Sequence, residues 1–178
     1  MKIMKVLVAI LLAIALIVGV VVLSGGHQDK TTINNMFTCT TSEELENYAK
    51  QNNWTLRNKE GVLHLHNAQF LDRSGYCVAE FNADTLKQMT FYTQIKPDEQ
   101  AAEIIESVKK SFLEEFGFEG EYAYYSVGEE TDNVGEADFL AKKATKELLI
   151  NDGEAFWSVS WLVTDEGVSG QISKKVLD

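Results

Sequence analysis

Eighteen consecutive residues near the amino terminus, from Val6 to Leu23, carry no charged or polar side chain. As an α-helix this run would be about 27 Å long, close to the hydrocarbon thickness of a lipid bilayer. It therefore predicts a transmembrane helix within a membrane anchor at residues 1–24, with the bilayer as a partner through residues 6–23. The alternative is a cleaved signal peptide, whose apolar core is usually shorter.

The charges on either side of this run predict its orientation. Lys2 and Lys5 precede it, whereas Asp29 and Lys30 nearly cancel each other after it. Because cytoplasmic flanks carry an excess of positive residues, we expect a single-pass protein of the cell membrane with a cytoplasmic amino terminus. The domain would then lie outside the cell, and it would be secreted if the segment is cleaved. Residues 25–37 predict a short tether, and residues 38–178 an extracytoplasmic domain.

The charge balance limits the partners that such a domain can have. The chain has 27 acidic residues against 16 basic ones, a formal net charge of −11. Nucleic-acid binding depends on a basic surface that neutralises phosphates, so this class of function is not expected. An acidic protein can instead act as an inhibitor or immunity-type protein that covers a basic partner, since opposite charges speed association and add specificity.

The first half of the domain predicts one short helix followed by strands. Thr41 and Glu44 have the spacing of a capping box, which predicts a helix that ends near Asn52. Three strands are predicted after it, at residues 62–70, 76–81 and 86–95, because apolar and β-branched residues there are bounded by turn-forming residues.

The second half predicts two amphipathic helices and a hairpin. The first helix starts at Pro97 and ends at Gly117; its apolar stripe, with a period of 3.6 residues, is Ala101, Ile104, Ile105, Val108, Phe112 and Phe116. A strand at 121–127 and a second helix at 137–148 follow. Strands at 155–164 and 168–174 complete the chain.

These elements predict an α+β fold in the order α-β-β-β-α-β-α-β-β. After the transmembrane helix, we expect a two-layer domain of antiparallel sheet with amphipathic helices on one face. The basis is that long antiparallel hairpins, rather than alternating βαβ units, dominate the pattern.

The two cysteines, Cys39 and Cys77, predict a disulfide bond. Both lie in the part of the chain expected to be exported, where the environment is oxidising. The alternatives are two buried thiols or two ligands of a soft metal. The absence of a C-x-x-C spacing speaks against a zinc ribbon.

Two further pairs are candidates for ligand contact. His64 and His66 would project from the same side of a strand and could contribute to a transition-metal site, but neither a third His nor a suitably spaced acidic residue completes the set. Trp157 and Trp161 would share one strand face. They are either a platform for a ligand or part of the core beneath the amphipathic helices.

The sequence lacks the motifs that most enzymes with a recognisable signature carry. It contains no phosphate-binding glycine loop, no H-E-x-x-H and no G-x-S-x-G, so no catalytic residue and no cofactor are expected. The leading prediction is a membrane-anchored extracytoplasmic binding domain without a catalytic role, whose partner is a protein or a component of the cell envelope. The acidic inhibitor is the alternative, and a metal-assisted hydrolase using His64 and His66 is the third hypothesis.

Overall fold

The computed structural model describes residues 35–128 and 133–177 of the chain. Within these ranges no helix is long and apolar enough to cross a membrane, so the predicted transmembrane helix has no counterpart in the described fold. The apolar run at residues 6–23 and most of the predicted tether lie outside the described residues. The predicted location and orientation therefore stay predictions.

The described residues form an antiparallel sheet of eight strands with three α-helices and a short 3₁₀ helix at Met36–Thr38. The helices are α1 (Ser42–Gln51), α2 (Ala101–Phe116) and α3 (Glu136–Leu140). The strands are β1 (Thr55–Lys59), β2 (Val62–Phe70), β3 (Arg73–Asn82), β4 (Thr85–Ile95), β5 (Ala123–Ser126), β6 (Ala144–Asn151), β7 (Ala155–Thr164) and β8 (Gly167–Val176). Their order in the sheet is β1-β2-β3-β4-β8-β7-β6-β5.

This strand order divides the sheet into two halves of the same design. In the first half α1 precedes the four strands β1–β4, and in the second half α2 precedes β5–β8. The last strands of the two halves, β4 and β8, pair with each other at the centre of the sheet, with Phe91 opposite Ile172. The first strands, β1 and β5, form the two edges. The eight strands are thus two four-stranded antiparallel units joined through their final strands.

The predicted fold class is wrong in its balance of helices and strands. The sheet has eight strands rather than six, and the long second helix predicted at residues 137–148 is absent. Only Glu136–Leu140 is helical there; Lys142 follows with φ +63° and so interrupts the helix, and residues 144–151 form strand β6. The helical spacing of Ala144 and Leu148 is equally compatible with a strand, because both positions face the same side in either structure.

Strand β1 was not predicted because it is almost entirely polar. It lies at the edge of the sheet and pairs only with β2, so Leu56 is its single apolar residue and the other four are exposed. An edge strand needs little burial, and charged residues there discourage pairing with another chain. A hydrophobic pattern therefore cannot reveal it.

The start of α1 and the end of α2 are confirmed by the structure. The Thr41 side chain accepts from the backbone N–H of Glu44, and the Glu44 carboxylate accepts from the backbone N–H of Thr41. Gly117 ends α2 in the left-handed conformation, with φ +70°, that glycine adopts most easily. Pro97, by contrast, precedes the helix by four residues.

One face of the sheet is covered by the helices and holds the core. A row of directly paired residues crosses it from β2 to β6, and every member is buried: Leu65, Cys77, Phe91, Ile172, Val159 and Leu148. Helix α1 adds Leu45 and Ala49, and α2 adds Ile105, Val108 and Phe112. Phe112 and Phe116 of α2 contact the ring of Trp157, with ring centroids 6.0 and 4.5 Å apart.

The predicted disulfide is wrong: Cys39 and Cys77 are both free thiols in the core. The prediction rested on the expected oxidising compartment and on the expectation that the first helix and the following strands bring the two segments together. In the fold, Cys77 is the residue that β3 contributes to the buried row of the covered face, and Cys39 is a buried residue directly after the 3₁₀ helix. Burial raises the pKa of the Cys39 thiol to about 11, so both side chains behave as small apolar groups.

Candidate functional site: the open face of the sheet

The second face of the sheet, called the open face below, is not covered by α1 or α2. Strand pairing arranges its side chains in three rows that cross the sheet. The first row is Thr55, His66, Tyr76, Tyr92, Gln171, Ser160, Glu147 and Ala123. The second is Arg57, His64, Val78, Thr90, Ser173, Ser158 and Leu149. The third is Lys59, Val62, Glu80, Gln88, Lys175, Phe156 and Asn151.

Large apolar and aromatic side chains are exposed on this face. Tyr92 is 41% exposed, and Leu149 and Phe156 have similar exposures. Tyr125 of the edge strand β5 lies on the same face and is also exposed. Since most of the other large apolar side chains in the described residues are buried, the open face holds the main concentration of exposed apolar surface in the fold.

Four rings on strands β2, β3 and β4 form a continuous aromatic cluster. Tyr76 lies at its centre, with ring centroids 4.9 Å from His66, 5.9 Å from His64 and 6.3 Å from Tyr92. The Tyr76 hydroxyl also hydrogen-bonds to Nδ1 of His64. Ring contacts and this bond hold the side chains in place, so the cluster presents a preformed aromatic surface.

The predicted pair His64 and His66 does lie on one strand face, but the structure supplies no third ligand. No group of three or more His, Cys, Asp or Glu side chains within residues 35–128 and 133–177 could hold a metal ion. The His64 ring is instead bonded to a tyrosine.

The open face is close to neutral in net charge. Its three rows contain the basic residues Arg57, Lys59 and Lys175 and the acidic residues Glu80 and Glu147. Glu147 accepts hydrogen bonds from the hydroxyls of Thr145 and Ser160, at 2.6 and 3.2 Å. This composition differs from the chain as a whole, whose net charge is −11.

Neutral polar groups occupy the middle of the face, where β4 and β8 pair. Thr90 and Ser173 are buried and hydrogen-bond to each other through their hydroxyls at 3.0 Å. The amide of Gln88 donates to Thr90 at 3.4 Å, and Gln171 lies beside Tyr92 in the next row. The centre of the face is therefore satisfied internally and carries no net charge.

The predicted pair Trp157 and Trp161 lies on the opposite, covered face. Trp157 is 4% exposed and Trp161 is 1% exposed, so both rings belong to the core. Asp152 accepts from Nε1 of Trp157 at 2.8 Å, and the hydroxyl of Tyr122 accepts from Nε1 of Trp161 at 2.9 Å. These rings have no surface to offer a ligand.

The buried titratable groups with shifted pKa values lie away from the open face. Burial lowers the pKa of Lys174, whose amine donates to the backbone carbonyl of Phe37 at 3.0 Å, and burial raises the pKa of Glu115. Burial also raises the pKa of Tyr122. Each of these groups contacts the core or the helices. These contacts join neighbouring elements of the fold.

The exposed apolar residues of the site were not predicted from the sequence. Tyr92, Leu149 and Phe156 stand out only once the pairing of β4, β8, β7 and β6 places them on one face. The alternation of apolar and polar residues in these strands was a usable signal, but which face stays open depends on where the helices pack. No protein family, curated protein or solved structure matches this chain.

Proposed function

We propose that this protein is a binding domain without a catalytic role, and that it binds a protein partner across the open face of its sheet. The observation that carries the proposal is the contrast between the two faces of one sheet: the helices cover one, and the other exposes aromatic side chains among neutral polar groups. Exposed apolar patches bordered by polar residues are typical of interaction sites.

The size of the open face supports a protein partner. Its three rows contain 22 residues. One side of a standard protein–protein interface has about 20–30 residues. Seven spacings between eight strands make the face about 33 Å wide, which exceeds what a small molecule would cover.

The composition of the face supports the same proposal. Tyrosine offers a large contact area with few rotatable bonds, and Ser, Thr and Gln offer adaptable hydrogen bonds, which is the combination found in antibody binding sites. Tyr76 and Tyr92 would be the anchors, because interface energy concentrates in a few central aromatic residues. The neutral middle of the face fits as well, since interface centres are depleted in charge.

The acidic inhibitor remains the second candidate because the negative charge of the described residues lies almost entirely off the open face. Helix α1 carries Glu43, Glu44 and Glu46, and α2 carries Glu103, Glu106 and Glu114 among others. A basic partner would be attracted to this helical side. The two candidates therefore predict contact on opposite sides of the molecule.

Site-specific photocrosslinking in intact cells separates these candidates. A photoreactive phenylalanine analogue replaces Tyr92 or Leu149 on the open face in one set of full-length proteins. In the control set it replaces the exposed residues Glu103 or Glu114 of α2. We expect a discrete crosslinked species from the open-face positions and none from the helix positions.

The same experiment has two results that contradict the proposal. A species crosslinked only from Glu103 or Glu114 would transfer binding to the acidic helical side and support the inhibitor. The second result is the absence of a crosslink from all four positions, at normal expression and in cells grown under several conditions. It would reject the proposed protein-binding function. Tyr92→Ala provides the matched loss-of-contact variant, and it should reduce crosslinking from Leu149 without unfolding the domain.

A further inference from the structure

The basic residues of the open face differ from the other basic residues in their ion pairing. Seven of the ten other Lys and Arg side chains in the described residues form ion pairs: Lys50, Arg73, Lys87, Lys109, Lys110, Lys142 and Lys146. Arg57, Lys59 and Lys175 have no ion-pair partner within residues 35–128 and 133–177, although acidic residues outnumber basic ones in this chain.

Two of these unpaired cations lie at one end of the open face. Arg57 and Lys59 are exposed on the edge strand β1, and Arg57 is directly opposite His64 on β2. His66 is the neighbour of His64 on the same side of β2. We call these four residues, Arg57, Lys59, His64 and His66, the basic end of the face.

Acidic side chains of the open face are distant from the basic end or already neutralised. The row that contains Arg57 has no acidic residue. In the row that contains His66, Glu147 lies five strand spacings away, about 24 Å. Glu80, in the third row, pairs with Lys87 at 3.9 Å. Among the described residues, the three rows of the open face therefore supply no acidic side chain that forms an ion pair with the basic end.

We propose that the partner presents a segment rich in Asp and Glu to the basic end, while its apolar and neutral polar groups cover Tyr76, Tyr92 and the middle of the face. This inference rests on the proposed function and specifies the chemistry of the partner. The guanidinium of Arg57 would bind a carboxylate through two parallel hydrogen bonds, and Lys59 would contribute a second charge.

The charge outside the open face makes this orientation specific. An acidic segment is attracted to the basic end and repelled by the carboxylates of α1 and α2. Binding at the basic end is therefore favoured, and binding along the helices is disfavoured. The attraction and the repulsion together set the direction in which the partner lies across the strands. Charges at an interface rim act mainly on orientation and association rate in this way.

A defined anionic peptide tests the inference on the full-length protein. Hexaglutamate is titrated at about 0.1 M salt, where charges more than about 10 Å away are largely screened. The readout is the imidazole NMR signals of His64 and His66, assigned with His64→Gln and His66→Gln. Hexalysine and pyrophosphate are titrated in parallel, to separate carboxylate recognition from non-specific binding and from phosphate recognition.

We expect hexaglutamate to shift both imidazole signals in a saturable manner and hexalysine and pyrophosphate to leave them unchanged. The double variant Arg57→Glu/Lys59→Glu should bind hexaglutamate at least about tenfold more weakly. The control Lys96→Glu/Lys143→Glu reverses two other exposed cations that lack an ion-pair partner in the described part of the chain, and it should bind normally. Arg57→Gln/Lys59→Gln should show an intermediate loss.

Three results would overturn the inference. These are no shift with hexaglutamate, equal binding by the two double variants, and a response to pyrophosphate alone. None of them bears on the photocrosslinking at Tyr92, which detects a partner of any charge. A crosslink at Tyr92 without hexaglutamate binding would thus reject the acidic partner and keep the binding function, whereas loss of the crosslink would reject the binding function itself.

Discussion

Phe91 and Tyr92 are neighbours in strand β4, yet they meet opposite environments. Phe91 faces the helices and is fully buried, whereas Tyr92 projects from the open face and is 41% exposed. Both are aromatic, so their intrinsic preference for a strand is the same. The difference shows that the two faces of this sheet meet different environments: one is packed into the core, and the other, under the function proposed above, would contact a partner.

The largest expected effect tests this contrast directly. Phe91→Ala should lower the free energy of unfolding by about 3–5 kcal/mol, because it removes a buried ring and leaves a cavity. Tyr92→Ala should change it by less than about 1 kcal/mol, because the ring is partly in solvent. Urea unfolding followed by tryptophan fluorescence measures both. Equal losses would mean that the open face is covered in the free protein.

The second prediction concerns the pH dependence of stability that the buried thiols cause. The pKa of Cys39 is raised from 9.0 to about 11 in the fold, mainly by burial, and that of Cys77 is raised too. Above pH 9 thiols ionise in the unfolded chain but not in the folded one. Their contribution is therefore complete below pH 9 and is lost as pH rises towards 11, by about 2–3 kcal/mol for Cys39.

The measurement for this second prediction compares the unfolding free energy at pH 8 and pH 10.5. The control is Cys39→Ala/Cys77→Ala, which retains the ionisation of Tyr and Lys but lacks the thiols. Its stability should fall less between the two pH values than that of the unaltered protein. An equal loss of stability between pH 8 and pH 10.5 in both proteins would contradict the burial of these side chains. Rapid alkylation of the two thiols by a maleimide in the native state would contradict it as well.

A third, smaller effect is expected near the start of strand β5, where Tyr122, the residue before the strand, contacts the core and Tyr125 lies on the open face. The Tyr122 hydroxyl accepts from Nε1 of buried Trp161 and donates to the carbonyl of Ile105 at 3.2 Å. Tyr122→Phe leaves that indole N–H without a partner in the core and should cost about 1–3 kcal/mol. Tyr125→Phe, on the open face, should be neutral within about 0.5 kcal/mol in thermal unfolding. A larger loss of stability for Tyr125→Phe than for Tyr122→Phe would contradict the register described for β5.

The smallest expected effect lies in the middle of the open face. Thr90→Val removes the hydrogen bond to Ser173 and should cost about 0.5–1.5 kcal/mol in urea unfolding. Ser158→Ala, in the same row but without this bond, is the control and should have no measurable effect. If Thr90→Val also left stability unchanged, the hydroxyl pair would contribute nothing to joining the two halves of the sheet.

The hairpins and the capped ends were predictable from the sequence because their signals are local. Alternation of apolar and polar residues marked strand β7, the capping box placed Thr41 at the start of α1, and the 3.6-residue stripe marked α2. Each signal depends on residues within one or two turns of one another. The candidate site was harder to predict from the sequence. His64 and His66 were proposed as metal ligands, while the tyrosines beside them, Tyr76 and Tyr92, were not recognised.

Amino-acid order alone determined that this chain builds antiparallel hairpins, where α1 begins, and where α2 ends at Gly117, because these features follow from backbone geometry and local periodicity. Tertiary structure decided that residues 144–151 form strand β6, that the polar segment 55–59 forms an edge strand, that both cysteines stay as free thiols, and which sheet face remains open. These outcomes depend on hydrogen-bond partners and packing surfaces distant in sequence. The backbone N–H and C=O groups of a strand find their hydrogen-bond partners only on the neighbouring strand, and a sheet face is buried only where a helix packs on it. Neither outcome can be deduced from the segment itself.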